Sequence, residues 1–138
     1  SIANYSDYLV DIEIEHNLYE DLTHKRPYAF KIEDTKVEIK DWKGALVQTI
    51  NYLAKKDPNI VKSFVDDSKM NGKKVIYFLK VKLPTMRAAR EIKLANIYVE
   101  TNLSTNSIRN LLIKMLNKYN IKLSDYKIYL KADYSELH

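Results

Sequence analysis

The chain of 138 residues contains no cysteine. Disulfides, thiolate zinc sites and thiol nucleophiles are therefore excluded. Glycine is almost as scarce, with Gly44 and Gly72 the only two. Loops that cradle phosphate need several glycines so that backbone N–H groups can reach the anion. The P-loop, the dinucleotide-binding fingerprint and the kinase glycine loop are accordingly missing. No apolar run approaches the roughly 18 residues that read as a membrane span. No basic stretch followed by an apolar one opens the chain, so a signal peptide is not expected and a cytoplasmic location is. The first residue is Ser rather than Met, which suggests a piece of a longer protein whose working partner is a missing domain.

What is present fits an ordinary folded domain. Hydrophobic residues make up 46% and charged residues 30%, a balance that argues against disorder. The net charge of +5 hides an asymmetry. Residues 1–69 hold 10 basic and 13 acidic side chains, net −3, and residues 70–138 hold 13 and 5, net +8. Either the halves neutralise each other across the fold, or the basic half meets phosphates or an acidic partner.

Periodicity supplies the elements. In "LVDIEIE", Val10, Ile12 and Ile14 alternate with Asp11, Glu13 and Glu15, which predicts a half-buried strand with an acidic outer face. Residues 1–24 carry six acids and no Lys or Arg, so they read as an acidic arm or edge strand, with a single domain over 25–138. "YAFKIE" and "KVEIK" predict two short strands. Asp41 is placed to cap a helix over 42–56 whose inner face is Trp42, Ala45, Leu46, Thr49, Ile50 and Leu53. Asp57-Pro58 opens a second, short helix with Ile60, Val61, Phe64 and Val65 inward. "NGKK" predicts a turn in which Gly72 takes positive φ. "KKVIYFLKVKLP" reads as the strongest strand and a central one, pairing as an antiparallel hairpin with 92–100. Ile108, Leu111, Leu112, Met115, Leu116 and Tyr119 form one face of a helix over about 105–119. "DYKIYLK" closes as a strand. The expected fold class is α+β: a mostly antiparallel sheet with about three helices on one face, in the order β-ββ-αα-ββ-α-β.

Two stretches carry Glu-x-Lys, at Glu38–Lys40 and Glu91–Lys93. In metal-dependent nucleases such a pair shares a strand face, the Glu binding Mg²⁺ and the Lys activating water. The site needs a further acid from a neighbouring strand. Asp34 lies only four residues upstream of Glu38, Asp21 is unplaced, and Glu91 has nothing nearer than Asp67. Charged outer positions on an amphipathic strand are the more economical reading. His16, His24 and His138 are not at metal-ligand spacing, and "THKRP" reads as a solvated lead-in to a strand or a phosphate-contacting loop. No serine nucleophile motif occurs. Catalytic residues, metal ligands and cofactors are not expected.

The most suggestive region is 69–94. Lys69, Lys73, Lys74, Lys80, Lys82, Arg87, Arg90 and Lys93 are opposed there only by Glu91. A hairpin with such a face can track a phosphate backbone or enter a groove as a β-ribbon. Lys127, Tyr129 and Lys131 add an aromatic between lysines, a pattern suited to base stacking. The alternative is that lysine solubilises strand edges and tyrosine fills the core.

The run "YAFKIEDTKVEIKDWKGALVQTINYL", with the later "IYVETNLSTNSIRNLLIKML", resembles uncharacterised accessory domains of bacterial restriction, phage and mobile-element proteins. Its shared features are core aromatics and caps, spread over about half the chain, with no catalytic signature. The resemblance implies a DNA-processing context and carries over no functional residue. Together these readings lead to a non-enzymatic module that helps a larger bacterial or phage protein engage nucleic acid, DNA rather than RNA. The alternatives are a protein-interaction or oligomerisation domain and, third, a small Mg²⁺ nuclease.

Overall fold

The computed structural model describes residues 9–22 and 25–133. In it Asp41 accepts the N–H of Gly44 at 2.8 Å and opens helix α1, Trp42–Lys56. The inner face buries Ala45, Leu46, Thr49, Ile50 and Leu53, as the 3.6-residue spacing predicts, while Trp42 is half-buried at the core margin. Asp57 caps α2, Pro58–Ser63, by accepting from the N–H of Asn59, with Pro58 at the first helical turn where its missing N–H costs nothing. Ser104 caps α3, Thr105–Lys118, which buries Ile108, Leu111, Leu112, Met115 and Leu116. No helix among the described residues is long and apolar enough to cross a membrane.

The class is α+β, with two small antiparallel sheets where one was expected. The first joins β2 (Thr35–Glu38), β1 (Lys25–Ile32) and β6 (Tyr126–Ala132) in that order. Its inner face is Phe30, Ile32, Tyr126, Ile128 and Leu130, all buried. The rings of Phe30 and Tyr126 stack at 5.4 Å, and the Tyr126 hydroxyl lies 2.8 Å from Thr49 Oγ1 of α1. That contact satisfies two polar groups that would otherwise be buried at a cost of about 1–3 kcal/mol each. The β1–β6 register shifts between Pro27 and Ala29, where proline cannot donate to the ladder.

The second sheet runs β3 (Phe78–Leu79), β5 (Ile97–Glu100), β4 (Ala89–Ile92). Here the sequence expectation holds in part. The stretch 74–82 is not a central strand: only Phe78 and Leu79 pair, at the sheet edge, and Val75, Ile76 and Val81 are exposed. The expected antiparallel pairing with 92–100 is present but short, Phe78 with Val99 and Leu79 with Tyr98, and Ala89–Ile92 pairs on the far side of β5 to make the sheet three-stranded. Strand propensity is realised only where neighbours supply hydrogen bonds and cover, and β5 has two edges to share.

Two further expectations are corrected. Residues 9–15 do not form a strand: a turn holds them, with Ile12 and Ile14 exposed, and the arm meets β6 through a bridge of His16 to Ile128 and a bond from the Tyr129 hydroxyl to Glu15. Gly72 does not adopt positive φ. Its lack of a side chain matters because a Cβ there would sit 2.8 Å from the carbonyl oxygen of Val75. Left-handed backbone occurs instead at Glu33, Asn96 and Asn120.

Candidate nucleic-acid interface

The basic lobe is built around Asn71. Its side-chain amide donates to the carbonyls of Phe64 and Asp67 at 2.8 and 2.9 Å, and its Oδ1 accepts from the N–H groups of Tyr77 and Phe78, both at 3.0 Å. One side chain thus ties the end of the α2 region to the start of β3. Between these points the chain turns, closed by the Gly72 N–H donating to Val75 O at 2.9 Å, and Lys73 and Lys74 stand exposed at the tip. Phe78 is buried with its ring 5.2 Å from that of Phe64, which anchors β3 from below.

The return loop is anchored by Glu100, a residue that the sequence does not single out. Glu100 is buried, and its carboxylate accepts from the N–H groups of Arg87 at 2.7 Å, Ala88 at 3.0 Å and Asn102 at 2.9 Å. Thr101 adds a bond from its hydroxyl to Ala88 O at 2.7 Å. Burial pushes the Glu100 carboxyl up, and the N–H donors of Asn102, Arg87 and Ala88 outweigh it and hold the group below its ordinary 4.5. The loop therefore presents Arg87 and Arg90 from a fixed base.

Lys73, Lys74, Lys80, Lys82, Arg87, Arg90 and Lys93 are all exposed. None forms an ion pair among the described residues. Glu91, their one acidic neighbour in sequence, accepts from the Tyr98 hydroxyl at 3.1 Å. Beside the lobe is an open cavity of about 640 Å³ lined by Lys69, Asn71, Gly72, Lys73, Lys114 and Lys118. Lys118 pairs with Asp67 at 2.7 Å, and Lys114 donates to Lys69 O at 3.0 Å. Lys114 adds to the positive surface from α3, while the charge of Lys118 is met by Asp67. The i, i+4 spacing of the two lysines was visible in the sequence, but nothing local showed that this helix face borders the lobe.

Lys127, Tyr129 and Lys131 lie elsewhere, on β6 of the other sheet. Tyr129 is 8% exposed, its ring has Lys36 Nζ 3.9 Å from the centroid, and its hydroxyl donates to Glu15 at 2.7 Å. Its face is thus occupied, and stacking of a base on it, as the sequence suggested, has no open surface. Lys31 pairs with the same Glu15 at 3.7 Å. The Tyr129 hydroxyl, and beyond it Lys31 and Lys127, hold the Glu15 carboxyl below its ordinary value. The acidic arm is thus fastened to the basic outer face of this sheet.

Neither Glu-x-Lys pair keeps both of its residues on one strand. Glu38 ends β2 and Lys40 lies beyond it, both exposed, while Lys93 sits in a 3-10 turn after β4. Among the described residues no three His, Asp or Glu side chains converge to hold a metal. His16 Nδ1 is 2.9 Å from Glu20 Oε1, in an ion-pair geometry that secures the arm. His24 and His138 lie outside the described residues, as does Thr23 of "THKRP"; Lys25, Arg26 and Pro27 belong to β1.

No family model, curated protein or solved structure matches this chain.

Proposed function

We propose that this is a non-enzymatic, cytoplasmic accessory module that helps a larger bacterial or phage protein engage nucleic acid, DNA rather than RNA, through the lobe 69–93. One observation carries the reading: Lys73, Lys74, Lys80, Lys82, Arg87, Arg90 and Lys93 are exposed on one lobe and form no ion pair among the described residues. Unpaired cations gathered in this way repel each other in the free protein, and a polyanion relieves that repulsion while releasing its own counterions. Lys114 extends the same surface. Lys127 and Lys131 are outside this lobe and are assigned no part in it.

The test is a binding titration against duplex DNA, single-stranded DNA and duplex RNA over a series of salt concentrations. Binding should weaken steeply with salt, and duplex DNA should bind most tightly. Replacing Arg87 and Arg90 together by Ala should flatten the slope of log K against log salt by about two units, one per lost phosphate contact. Absence of binding at low salt, or a slope unchanged in the double variant, overturns the reading.

A second reading has its own observation. Val75, Ile76, Val81 and Leu83 are exposed among the lysines of the lobe, and an aliphatic surface suits a protein partner.

A further inference from the structure

The large hydrophobic side chains left exposed among the described residues are not scattered. Leu9, Ile12, Ile14 and Tyr19 lie on the arm, Val75, Ile76, Val81 and Leu83 lie on the lobe, and Leu94 follows β4. Ile12 and Ile14 are 54% and 49% exposed, and Ile76 and Val81 are 50% and 59% exposed. Isolated exposed aliphatics need no explanation, but two concentrations of them do.

The two concentrations carry opposite charge. From 9 to 22 the chain has Asp11, Glu13, Glu15, Glu20 and Asp21 and no Lys or Arg, whereas from 68 to 90 it has seven Lys and Arg and no acid. They also share a pattern: Ile12 and Ile14 alternate with Asp11, Glu13 and Glu15, and Val81 and Leu83 alternate with Lys80 and Lys82. Period-two alternation is the signature of a strand with one apolar and one charged face, yet neither stretch is a strand in the single chain. Val81 and Lys82 make no backbone–backbone hydrogen bond among the described residues. In the arm the Glu13 N–H donates to Asp11 Oδ1 at 2.9 Å, the Ile12 carbonyl accepts from the Tyr28 hydroxyl, and Asp11 O accepts from the Ile14 N–H at 3.4 Å, so the arm offers its exposed side chains rather than a free backbone edge. Within one chain the arm is fastened to the other sheet through Glu15 and His16, away from β3.

We infer that the acidic arm of one copy docks on the basic, apolar stretch 74–83 of a second copy, reciprocally, to form a homodimer. Placed alongside each other, the two stretches bring Ile12 and Ile14 against Val81 and Leu83, and Asp11 and Glu13 opposite Lys80 and Lys82. A reciprocal exchange of arms closes on a two-fold axis, so both exposed patches are covered in both copies and assembly stops at two. The inference does not rest on nucleic-acid binding and is tested without any polyanion present.

The experiment is sedimentation equilibrium of the nucleic-acid-free protein over a range of concentrations, with two charge-reversed variants. One carries Asp11→Lys and Glu13→Lys, the other Lys80→Glu and Lys82→Glu. These four side chains are exposed and form no ion pair among the described residues, so each variant should retain the parent fold, checked by circular dichroism. The parent should be a dimer at low salt and shift toward monomer as salt rises, and each variant alone should be monomeric. An equimolar mixture of the two should recover the dimer mass, because each reversed arm then meets a reversed lobe. A monomeric parent at the highest concentration, a variant that still dimerises on its own, or a mixture that stays monomeric overturns the inference. Association of the parent only with another, acidic protein counts among the overturning results.

Discussion

The carboxylate of Glu100 accepts the backbone N–H of Arg87 at 2.7 Å, across the gap between β5 and the loop that carries the arginines. With Ala88 and Asn102 it collects three backbone donors on one buried side chain. Replacing it with Ala removes every one of these acceptors at once. Glu100→Ala should lower stability by about 1–3 kcal/mol or more, the cost of leaving buried polar groups unmade. Chemical denaturation measures it, and an unchanged midpoint would show that the loop holds itself.

The same residue gives a pH signature. Its folded carboxyl titrates below the ordinary 4.5, so the folded state binds fewer protons there than the unfolded chain does. The resulting stabilisation is fully present above the ordinary value and is lost as pH falls from there through the folded value. Glu33, whose carboxyl is lowered by Lys56 and Tyr52, contributes in the same direction. The difference between parent and Glu100→Gln isolates Glu100: it should shrink on acidification below about pH 4.5. A difference that grows in acid would contradict the assignment.

Thr49 and Tyr126 supply a double-mutant cycle. Their hydroxyls are 2.8 Å apart and both residues are fully buried. Tyr126→Phe alone strands the threonine hydroxyl, and Thr49→Val alone strands the phenol, each at about 1–3 kcal/mol. The double variant strands neither, so its loss should fall well below the sum. Additive losses would mean that the two hydroxyls do not depend on each other.

Trp42 and Phe64 separate half-burial from full burial. From its place at the start of α1 the sequence puts Trp42 in the core, where truncation costs about 3–5 kcal/mol. It is half-buried at the core margin, so Trp42→Ala should cost less, about 1–3 kcal/mol, in proportion to the apolar area it covers. Phe64, with none of its surface exposed, should show the full about 3–5 kcal/mol on truncation to Ala. Unfolding midpoints of the two variants decide it, and a larger loss at Trp42 than at Phe64 would reverse the ranking.

Where a rule was local, the sequence was sufficient. The faces of α1 and α3 follow from 3.6-residue spacing, and the start of α1 follows from Asp41, whose side chain accepts from the N–H group three residues on. The concentration of cations over 69–93 is also plain in the sequence, as is the acidity of the arm. Tertiary structure decided how those segments were used. The arm and 74–83 both read as strands, but a strand exists only if another backbone lies alongside it, and β5 offers its two edges to β4 and to two residues of β3. Tyr129 could be read as open to a base until the fold set Lys36 over its ring. Glu100 could be read as a surface charge until the fold folded the 86–88 loop over it. Periodicity and capping depend on neighbours within a turn or two of chain. Strand pairing, ring cover and carboxylate burial depend on segments that only the folded chain brings together.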